Sequence, residues 1–163
     1  MIVRAETKAD FEQIDDVVRA AFGKQDEVDF VHRIRASGAY LPDLALVAVE
    51  GEEIVGHVMF SRATVGEHSV LQLAPLAVRP DRHRGGVGAA LTRRGLELAD
   101  ESREPLVLVL GVPEYYPKFG FVSARGLGIE PYIADLPDEP WMAKPLSSYD
   151  PSIKGLAAFE PDS

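Results

Sequence analysis

Two stretches near the start of the chain repeat apolar residues at the three- and four-residue spacing of an amphipathic helix. The first helix is predicted after a short strand at Ile2–Ala5, and a capping arrangement of Thr7 with Asp10 marks where it starts. Its apolar positions are Phe11, Ile14, Val17, Val18 and Ala21. A second helix is predicted from about Glu27 to Ala36. The chain is therefore expected to begin with a strand and two helices.

The next part of the chain has the pattern of consecutive β-strands. Leu44–Glu50 and Ile54–Val65 are rich in β-branched residues and are joined by a glycine-led turn, which predicts a hairpin. Val70–Val78 continues in the same manner as a third strand. Pro75 lies inside it and has no N–H to donate to a ladder, so we expect a bulge or bend there.

A third helix is predicted from about Gly86 to Glu101, and a strand buried on both faces from Leu106 to Leu110. Strand, glycine loop, helix and apolar strand make a βαβ unit with a right-handed connection. Beyond this unit the pattern weakens. The segment PEYYPKFGF indicates a short helical turn before a strand at Phe121, and two short strands are predicted near Trp141–Leu146 and Ile153–Phe159.

We find no internal repeat or linker, which predicts a single domain over residues 1–163. Its core is expected over about residues 1–124, followed by a loop-rich part at 125–163. The absence of cysteine excludes a thiol nucleophile and a cysteine metal site. The four histidines, His32, His57, His68 and His83, lack ligand-like spacing, so no metal site is predicted.

The charge of the chain is acidic overall but basic at one place. The formal net charge of −9 argues against nucleic acid and anionic membrane as partners. We see no secretory signal and no apolar run of membrane-spanning length, and we expect a cytoplasmic protein. Between Arg79 and Arg94, however, five arginines and one histidine face a single acid, Asp81. A small anionic ligand is one explanation, and a solvated, helix-pairing surface is the other.

The basic stretch contains the segment RHRGGVGAAL, which places three glycines directly before a helix. Gly85, Gly86 and Gly88 let the backbone approach an anion at a helix N-terminus. The residues after Gly88 match neither the phosphate loop of nucleotide hydrolases nor the dinucleotide fingerprint. These mismatches favour the pyrophosphate of another cofactor, although a loop that needs glycine only for a tight turn has the same pattern.

Two segments together resemble the GCN5-related N-acetyltransferase (GNAT) superfamily. PLAVRPDRHRGGVGAALTRRGLELA is similar to the family's motif A, and YYPKFGF to its Y-x-x-x-G-F segment. The later PYIADLPDEPWMAKPL resembles a bacterial subgroup of predicted acetyltransferases. The resemblance implies an α/β (α+β) fold with a mixed, mostly antiparallel sheet, whose central parallel strands splay apart between flanking helices.

The resemblance also implies a site and a reaction. Acetyl-CoA would be the acyl donor, and its acetyl group would pass to a primary amine of a small molecule or peptide by direct attack. Tyr116 would be the general acid that protonates departing CoA. Leu76, Ala77 and Val78 would offer backbone hydrogen bonds to the pantetheine arm and the thioester carbonyl. The pyrophosphate would lie on the loop formed by His83, Arg84, Gly85, Gly86, Val87, Gly88 and Ala89.

Two positions depart from the family pattern. His83 stands where glutamine or arginine is usual, and Val109 stands where many members have asparagine. These departures keep open a second function, a non-catalytic module that senses acyl-CoA or binds a protein.

Several further assignments stay open on sequence alone. His57 is a candidate base or a hydrogen-bonded core residue, and Glu50, Glu67 and Gln72 are candidate water-organising groups, so the general base is unassigned. Polyamines, aminoglycosides and lysine-rich segments are all candidate acceptors for an acidic protein. The proline-rich segment from Pro137 to Pro151 is a candidate cover for the acceptor cleft or a homodimer contact.

Overall fold

The chain folds as one mixed sheet with helices on both faces, in a computed structural model that describes residues 1–159. The helices are α1 (Phe11–Phe22), α2 (Asp26–Arg35) and α3 (Val87–Glu101). The strands are β1 (Ile2–Ala5), β2 (Ala45–Glu50), β3 (Glu53–Val65), β4 (His68–Val78), β5 (Leu106–Leu110), β6 (Val122–Ser123), β7 (Ile129–Glu130), β8 (Trp141–Pro145) and β9 (Gly155–Phe159). All three predicted helices and all of the longer predicted strands are confirmed to within two residues.

The nine strands follow the order β1-β2-β3-β4-β5-β8-β6, and β9 pairs with both β3 and β7. Neighbouring strands are antiparallel except for β4 with β5 and β7 with β9. Among the described residues, no helix is long and apolar enough to cross a membrane. The mostly antiparallel sheet with a central parallel pair is the architecture that the sequence predicts.

Alternation along the strands sends neighbouring side chains to opposite faces of the sheet. In β2, Leu46 and Ala48 pack in the core that α3 covers, whereas Val47 packs in the core beneath α1. Both α1 and α3 contact β3 and β4. The sheet is therefore covered by α3 on one face and by α1 on the other.

The parallel pair at the centre of the sheet separates after two residues. β4 and β5 pair only at Leu71 with Val107 and at Gln72 with Leu108. In the same place the ladder between β3 and β4 shifts, with Phe60 opposite Leu73 and Val58 opposite Leu76. Ala74 and Pro75 therefore both lie opposite the single residue Met59, which is the bulge that Pro75 predicts. The backbone of β4 beyond the bulge has no partner strand on the β5 side.

The predictions for β5 and the C-terminal part need correction. Leu110 was expected to be buried on both faces, but 42% of it is exposed because β5 has left β4 by that point. The strand expected at Phe121 begins one residue later, as β6. Phe121 instead packs into the core that α3 covers. The two-residue strand β7 was not predicted. The predicted turn in PEYYPKFGF is a 3₁₀ helix at Tyr116–Phe119.

Candidate functional site

Two cavities of about 500 Å³ each open where β4 and β5 separate. We call the first the basic cavity, lined by Ala21, Phe22, Leu76, Val78, Arg82, His83, Arg84, Gly86, Val87, Gly88, Ala89, Val112, Tyr115, Tyr116 and Lys118. We call the second the aromatic cavity, lined by Phe22, Asp26, Glu27, Phe30, Arg33, Gln72, Leu73, Ala74, Pro75, Leu76, Leu108, Leu110, Gly111, Val112, Tyr116, Tyr132 and Phe159. Phe22, Leu76, Val112 and Tyr116 line both, so the two cavities meet beside Tyr116.

The basic cavity combines positively charged side chains with the N-terminus of a helix. Arg82, His83, Arg84 and Lys118 line it, and among residues 1–159 no Asp or Glu does. Its wall is also the start of α3, where no side chain caps the first turn. The first intrahelical donor after the loop is the N–H of Ala90, which bonds to the carbonyl of Gly86 at 3.0 Å. The N–H groups of the preceding three residues are therefore free to bind a ligand.

The glycines of the loop have two distinct roles. Gly86 precedes α3 with φ +82°, a backbone conformation that favours glycine. At Gly88 the backbone is helical, but a Cβ would lie 3.0 Å from the hydroxyl of Tyr115 and 3.6 Å from Val78. A side chain there would occupy the cavity, so glycine at position 88 keeps it open.

The arginines of the basic stretch divide between structure and cavity. Arg79 pairs with Glu53, Arg82 pairs with Asp81 at 3.0 Å and with Glu50 at 3.5 Å, and Arg94 pairs with Glu97 at 3.1 Å. Arg79 and Arg94 fit the surface-pairing interpretation, whereas Arg82 makes ion pairs and also lines the basic cavity. Arg84 makes no ion pair with the described residues and lines the basic cavity, where an anionic ligand would meet it.

Eight of the ten residues predicted to bind the acyl donor line the basic cavity, and Ala77 and Gly85 do not. Residues of an antiparallel ladder direct their backbone groups alternately toward and away from the partner strand. The N–H of Arg79 donates to the carbonyl of Val55 in β3 at 2.9 Å, so Ala77 also directs its backbone groups to β3. Its side chain is buried beneath α1.

Leu76 and Val78 have the opposite orientation, and their backbone groups face the side that β5 has left. The carbonyl of Val78 accepts a hydrogen bond from Nε2 of His83 at 3.1 Å. His83 thus stabilises the loop against β4 while lining the cavity. Val109, the second departure from the family pattern, is 3% exposed and packs in the core that α3 covers.

Tyr116 is held where the two cavities meet by packing on three sides. Its ring makes edge-to-face contacts with Tyr115 at 5.0 Å and Phe121 at 5.4 Å between centroids. A Cβ at Gly111 would overlap the ring, so glycine allows this close approach. Tyr116 is 8% exposed, and its hydroxyl has no hydrogen-bond partner among the described residues. Burial raises the pKa of Tyr116, and Tyr115 raises it further.

The aromatic cavity contains most of the residues that sequence reasoning missed. Phe22, Phe30 and Tyr132 come from three separate segments, and Phe159 from the last described strand. Gln72, which the sequence analysis gives as a candidate water-organising group, lies at the last paired position of β4 with β5. It is 5% exposed, and its Nε2 has no hydrogen-bond partner in the part of the chain that the structure describes.

His57 lies in the core and lines neither cavity, which settles its open assignment. Its Nε2 donates to Oε1 of Glu6 at 2.9 Å. Glu6 also accepts hydrogen bonds from Arg35 at 2.9 Å and from the hydroxyl of Tyr40 at 2.7 Å. Burial lowers the pKa of His57, so the ring is neutral and its Nε2 carries the proton. This buried group is part of the structure and is not a base for the site.

Of the other open candidates, Gln72 lines the aromatic cavity, whereas Glu50 and Glu67 line neither cavity. Glu50 pairs with Arg82, and Glu67 lies in the turn between β3 and β4. Within residues 1–159, no group of three or more His, Asp or Glu side chains is arranged to hold a metal ion.

Comparison with known proteins finds acetyltransferases that are similar to this chain in sequence and in structure. A family model described as an acetyltransferase (GNAT) domain matches residues 2–124. The uncharacterized N-acetyltransferase YjhQ of Escherichia coli K12 is 36% identical, over 95% of this chain and 90% of its own length. The crystal structure of the E. coli GNAT family N-acetyltransferase YhbS in complex with CoA has a TM-score of 0.90 and 27% identity, and the match covers 98% of this chain and 89% of that one.

A further structure, a GNAT family acetyltransferase from Brucella melitensis in complex with acetyl-CoA, has a TM-score of 0.81 and 26% identity. That match covers 98% of this chain and 96% of the other. The family match spans both segments that carry the resemblance in the sequence, and the structural matches span the sheet with its separated central strands. The chain belongs to the GNAT family of acetyltransferases.

Proposed function

We propose that this acetyltransferase transfers the acetyl group of acetyl-CoA to a primary amine by direct attack, without a covalent enzyme intermediate. The observation that carries the proposal is the meeting of two cavities at Tyr116, one fitted to an anion and one lined by aromatic residues. A donor held in the first and an acceptor held in the second would bring their reacting atoms together beside this tyrosine.

The basic cavity fits the phosphates of CoA. Arg84 and Lys118 supply positive charge, and the uncapped first turn of α3 supplies N–H donors. The glycine at position 88 leaves the backbone open to a pyrophosphate. Two relatives with 26–27% identity were crystallised with CoA or acetyl-CoA, which supports the same ligand here.

The backbone of β4 beyond the bulge would hold the pantetheine arm. Leu76 and Val78 direct backbone groups into the gap between β4 and β5, where no strand uses them. Acetyl-CoA supplies an activated thioester, and an N–H from this segment would polarise its carbonyl. The same groups would fix the distance between the thioester and Tyr116, because β4 is anchored along β3.

Tyr116 would act as the general acid. As the amine nitrogen forms the amide bond, the carbon–sulfur bond breaks and the sulfur takes the phenolic proton. The proton lost by the amine goes to water, and water returns a proton to the phenolate, which restores Tyr116. The phenol remains protonated at neutral pH because burial raises its pKa. The ordinary pKa values are about 10 for tyrosine and about 8.5 for a thiol. Burial in the same site raises the pKa of the thiol as well as that of the phenol, so the gap between the two pKa values grows less than the pKa of Tyr116 itself.

Titration calorimetry with acetyl-CoA tests the proposal. We expect saturable binding by the wild-type protein and a loss of at least about tenfold in affinity for Gly88→Glu, which places a carboxylate in the basic cavity. Gly38→Glu is the matched control, because Gly38 is exposed and has nothing within 4 Å of a Cβ. A folded wild-type protein that binds no acetyl-CoA would overturn the proposed function.

A further inference from the structure

We infer that the aromatic cavity selects a monoamine whose amino group is attached to an aromatic or similarly bulky apolar body, and that Glu27 binds the amino group. The inference rests on the proposed function, because it names the acceptor class of the same site. It follows from two polar groups without partners, from the charge of the cavity, and from the character of its walls.

The first of these groups is the Glu27 carboxylate. Its Oε2 is buried and has no hydrogen-bond partner among the described residues, although the residue as a whole is half-buried and lines the cavity. A buried carboxylate oxygen without a partner is costly unless a cation or donor meets it. An ammonium group entering the cavity would meet that need with a charge-assisted hydrogen bond.

The second group is the Gln72 amide, on a different element and on the sheet floor. Gln72 is 5% exposed and lines the same cavity, and its Nε2 has no hydrogen-bond partner within residues 1–159. It lies at the point where β4 and β5 separate, close to the bulge that leads to Leu76. Two unpartnered polar groups from α2 and β4 therefore line one cavity, which is the pattern of a site for a polar ligand group.

The charge of the cavity limits how many amino groups it can take. Among residues 1–159, Asp26 and Glu27 are the acidic residues that line the cavity and Arg33 is the basic one, so this part of the lining carries a net formal charge of −1. A polyamine or an aminoglycoside brings several ammonium groups, and each would need its own acidic partner or water. One amino group is what this charge balance accommodates.

The walls favour an apolar body on that amine. Phe22, Phe30, Tyr132 and Phe159 line the cavity, and Tyr132 packs edge-to-face on Phe159 at 4.6 Å. Leu108 and Leu110 add aliphatic surface from β5. Contact with an apolar ring buries the aromatic faces from water, and a nearby ammonium group is attracted to them, so both contacts stabilise the complex. A hydrophilic acceptor would displace water from these faces without making either contact.

An acceptor panel tests the inference with purified protein at saturating acetyl-CoA, using thiol release as the rate. The panel compares 2-phenylethylamine with spermidine, kanamycin and a short lysine peptide. We expect kcat/KM for 2-phenylethylamine to exceed each of the others by about tenfold or more. A preference for spermidine, kanamycin or the peptide would overturn the inference.

Two variants of α2 test the role of Glu27. Glu27→Gln keeps the shape but removes the charge, and we expect KM for 2-phenylethylamine to rise by about tenfold with kcat nearly unchanged. Asp29→Asn is the matched control, because Asp29 is exposed on the same helix and lines neither cavity. Equal KM values for the two variants would contradict the role of Glu27.

Calorimetry separates this failure from a failure of the proposed function. If wild-type protein and Glu27→Gln both bind acetyl-CoA, the donor site is intact, and the acceptor results then judge the inference alone. Titration of 2-phenylethylamine into the CoA complex gives a second readout that does not depend on turnover. Intact CoA binding with neither binding nor acetylation of 2-phenylethylamine would overturn the inference while leaving the donor site standing.

Discussion

Adjacent tyrosines at positions 115 and 116 have different surroundings because of the 3₁₀ helix that begins there. Their rings are nearly perpendicular, at 87°. The hydroxyl of Tyr115 is buried beside Gly88, whereas Tyr116 lies where the two cavities meet. The backbone turn, rather than the chemistry of the side chain, therefore decides which phenol could reach a reacting sulfur.

Tyr116→Phe removes the proposed acid and keeps the ring. We expect kcat to fall by about 10²-fold or more with acetyl-CoA affinity unchanged, because the hydroxyl would act in the transition state. Because its pKa is raised above 10, Tyr116 stays protonated, and any loss of rate that it causes at alkaline pH begins above pH 10. Tyr149→Phe is the control, since Tyr149 lines neither cavity. An unchanged kcat in Tyr116→Phe, measured as thiol release, would contradict this role.

At this scale the sequence identifies residues that lie within a motif and misses residues that come together only in space. Tyr116 and Gly88 were found because each belongs to a short recognisable segment. Glu27 was read as the start of a helix, and Phe159 as part of a short C-terminal strand. Nothing in their local pattern indicates a shared cavity, because the contacts that bring them together span most of the chain.

Helix α2, which carries Glu27, is anchored to the sheet by one buried ionic group. Arg35 at the end of α2 donates to both oxygens of Glu6, at 2.9 and 3.1 Å, and its guanidinium lies 3.7 Å from the ring centre of Phe11. Glu6 follows β1 and also receives bonds from β3 through His57. The position of the acidic wall of the aromatic cavity therefore depends on the pairing of Glu6 with Arg35.

Arg35→Met tests this anchor. The change leaves Glu6 buried without its cation, and we expect the free energy of unfolding to fall by about 3 kcal/mol at pH 7. Arg94→Met is the control and should cost less than about 1 kcal/mol, because its pair with Glu97 is exposed. Denaturant unfolding measures both, and equal losses would contradict the anchoring role.

The same group sets the pH dependence of stability. Burial raises the pKa of Glu6, but the hydrogen bonds from His57 and Arg35 together outweigh it and lower the pKa from 4.5 to about 2. Burial lowers the pKa of His57 from 6.5. Because both pKa values are lower in the folded protein, a falling pH protonates each group in the unfolded chain before it does so in the folded protein. The wild-type protein should therefore lose stability as the pH falls below about 6.5, and more steeply from about 4.5 toward 2. Arg35→Met should flatten the steeper part, because the pKa of Glu6 is then less depressed.

Among the elements, the long periodic segments were predicted to within two residues, whereas β6 was predicted one residue early, at Phe121, and β7 was not predicted. Pro75 indicated the bulge in β4 because proline lacks the N–H that the ladder needs, and this is visible from a single residue. β6 and β7 are too short to show a period, and they exist because β8 and β9 offer free edges to pair with. The exposure of Leu110 also escaped prediction, since it depends on where two distant strands separate.

On the scale of the whole chain, the C-terminal part is joined to the rest through the middle of the sheet. β8 pairs along all of β5, from Leu106 to Leu110, and β9 pairs with β3 at residues 63–65. Trp141 is fully buried, and its Nε1 donates to the carbonyl of Ile129 at 3.1 Å. The core around Trp141 includes residues of β3, β4 and β5, such as Val65, Val70 and Leu108. The core around Trp141 and the core that α3 covers therefore share the central strands β3, β4 and β5.

A shared set of strands predicts one cooperative unfolding transition, as the single domain inferred from the sequence requires. Trp141 is the only tryptophan of the chain and lies in the C-terminal core, so its fluorescence follows that core alone. Far-ultraviolet circular dichroism follows chiefly the α-helices, and α1, α2 and α3 lie within the first 101 residues. We expect the two signals to give the same midpoint and the same slope in urea. An earlier fluorescence transition would mean that residues 125–159 unfold as a separate unit, and the wall that Tyr132 and Phe159 form in the aromatic cavity would then open before the donor site is lost.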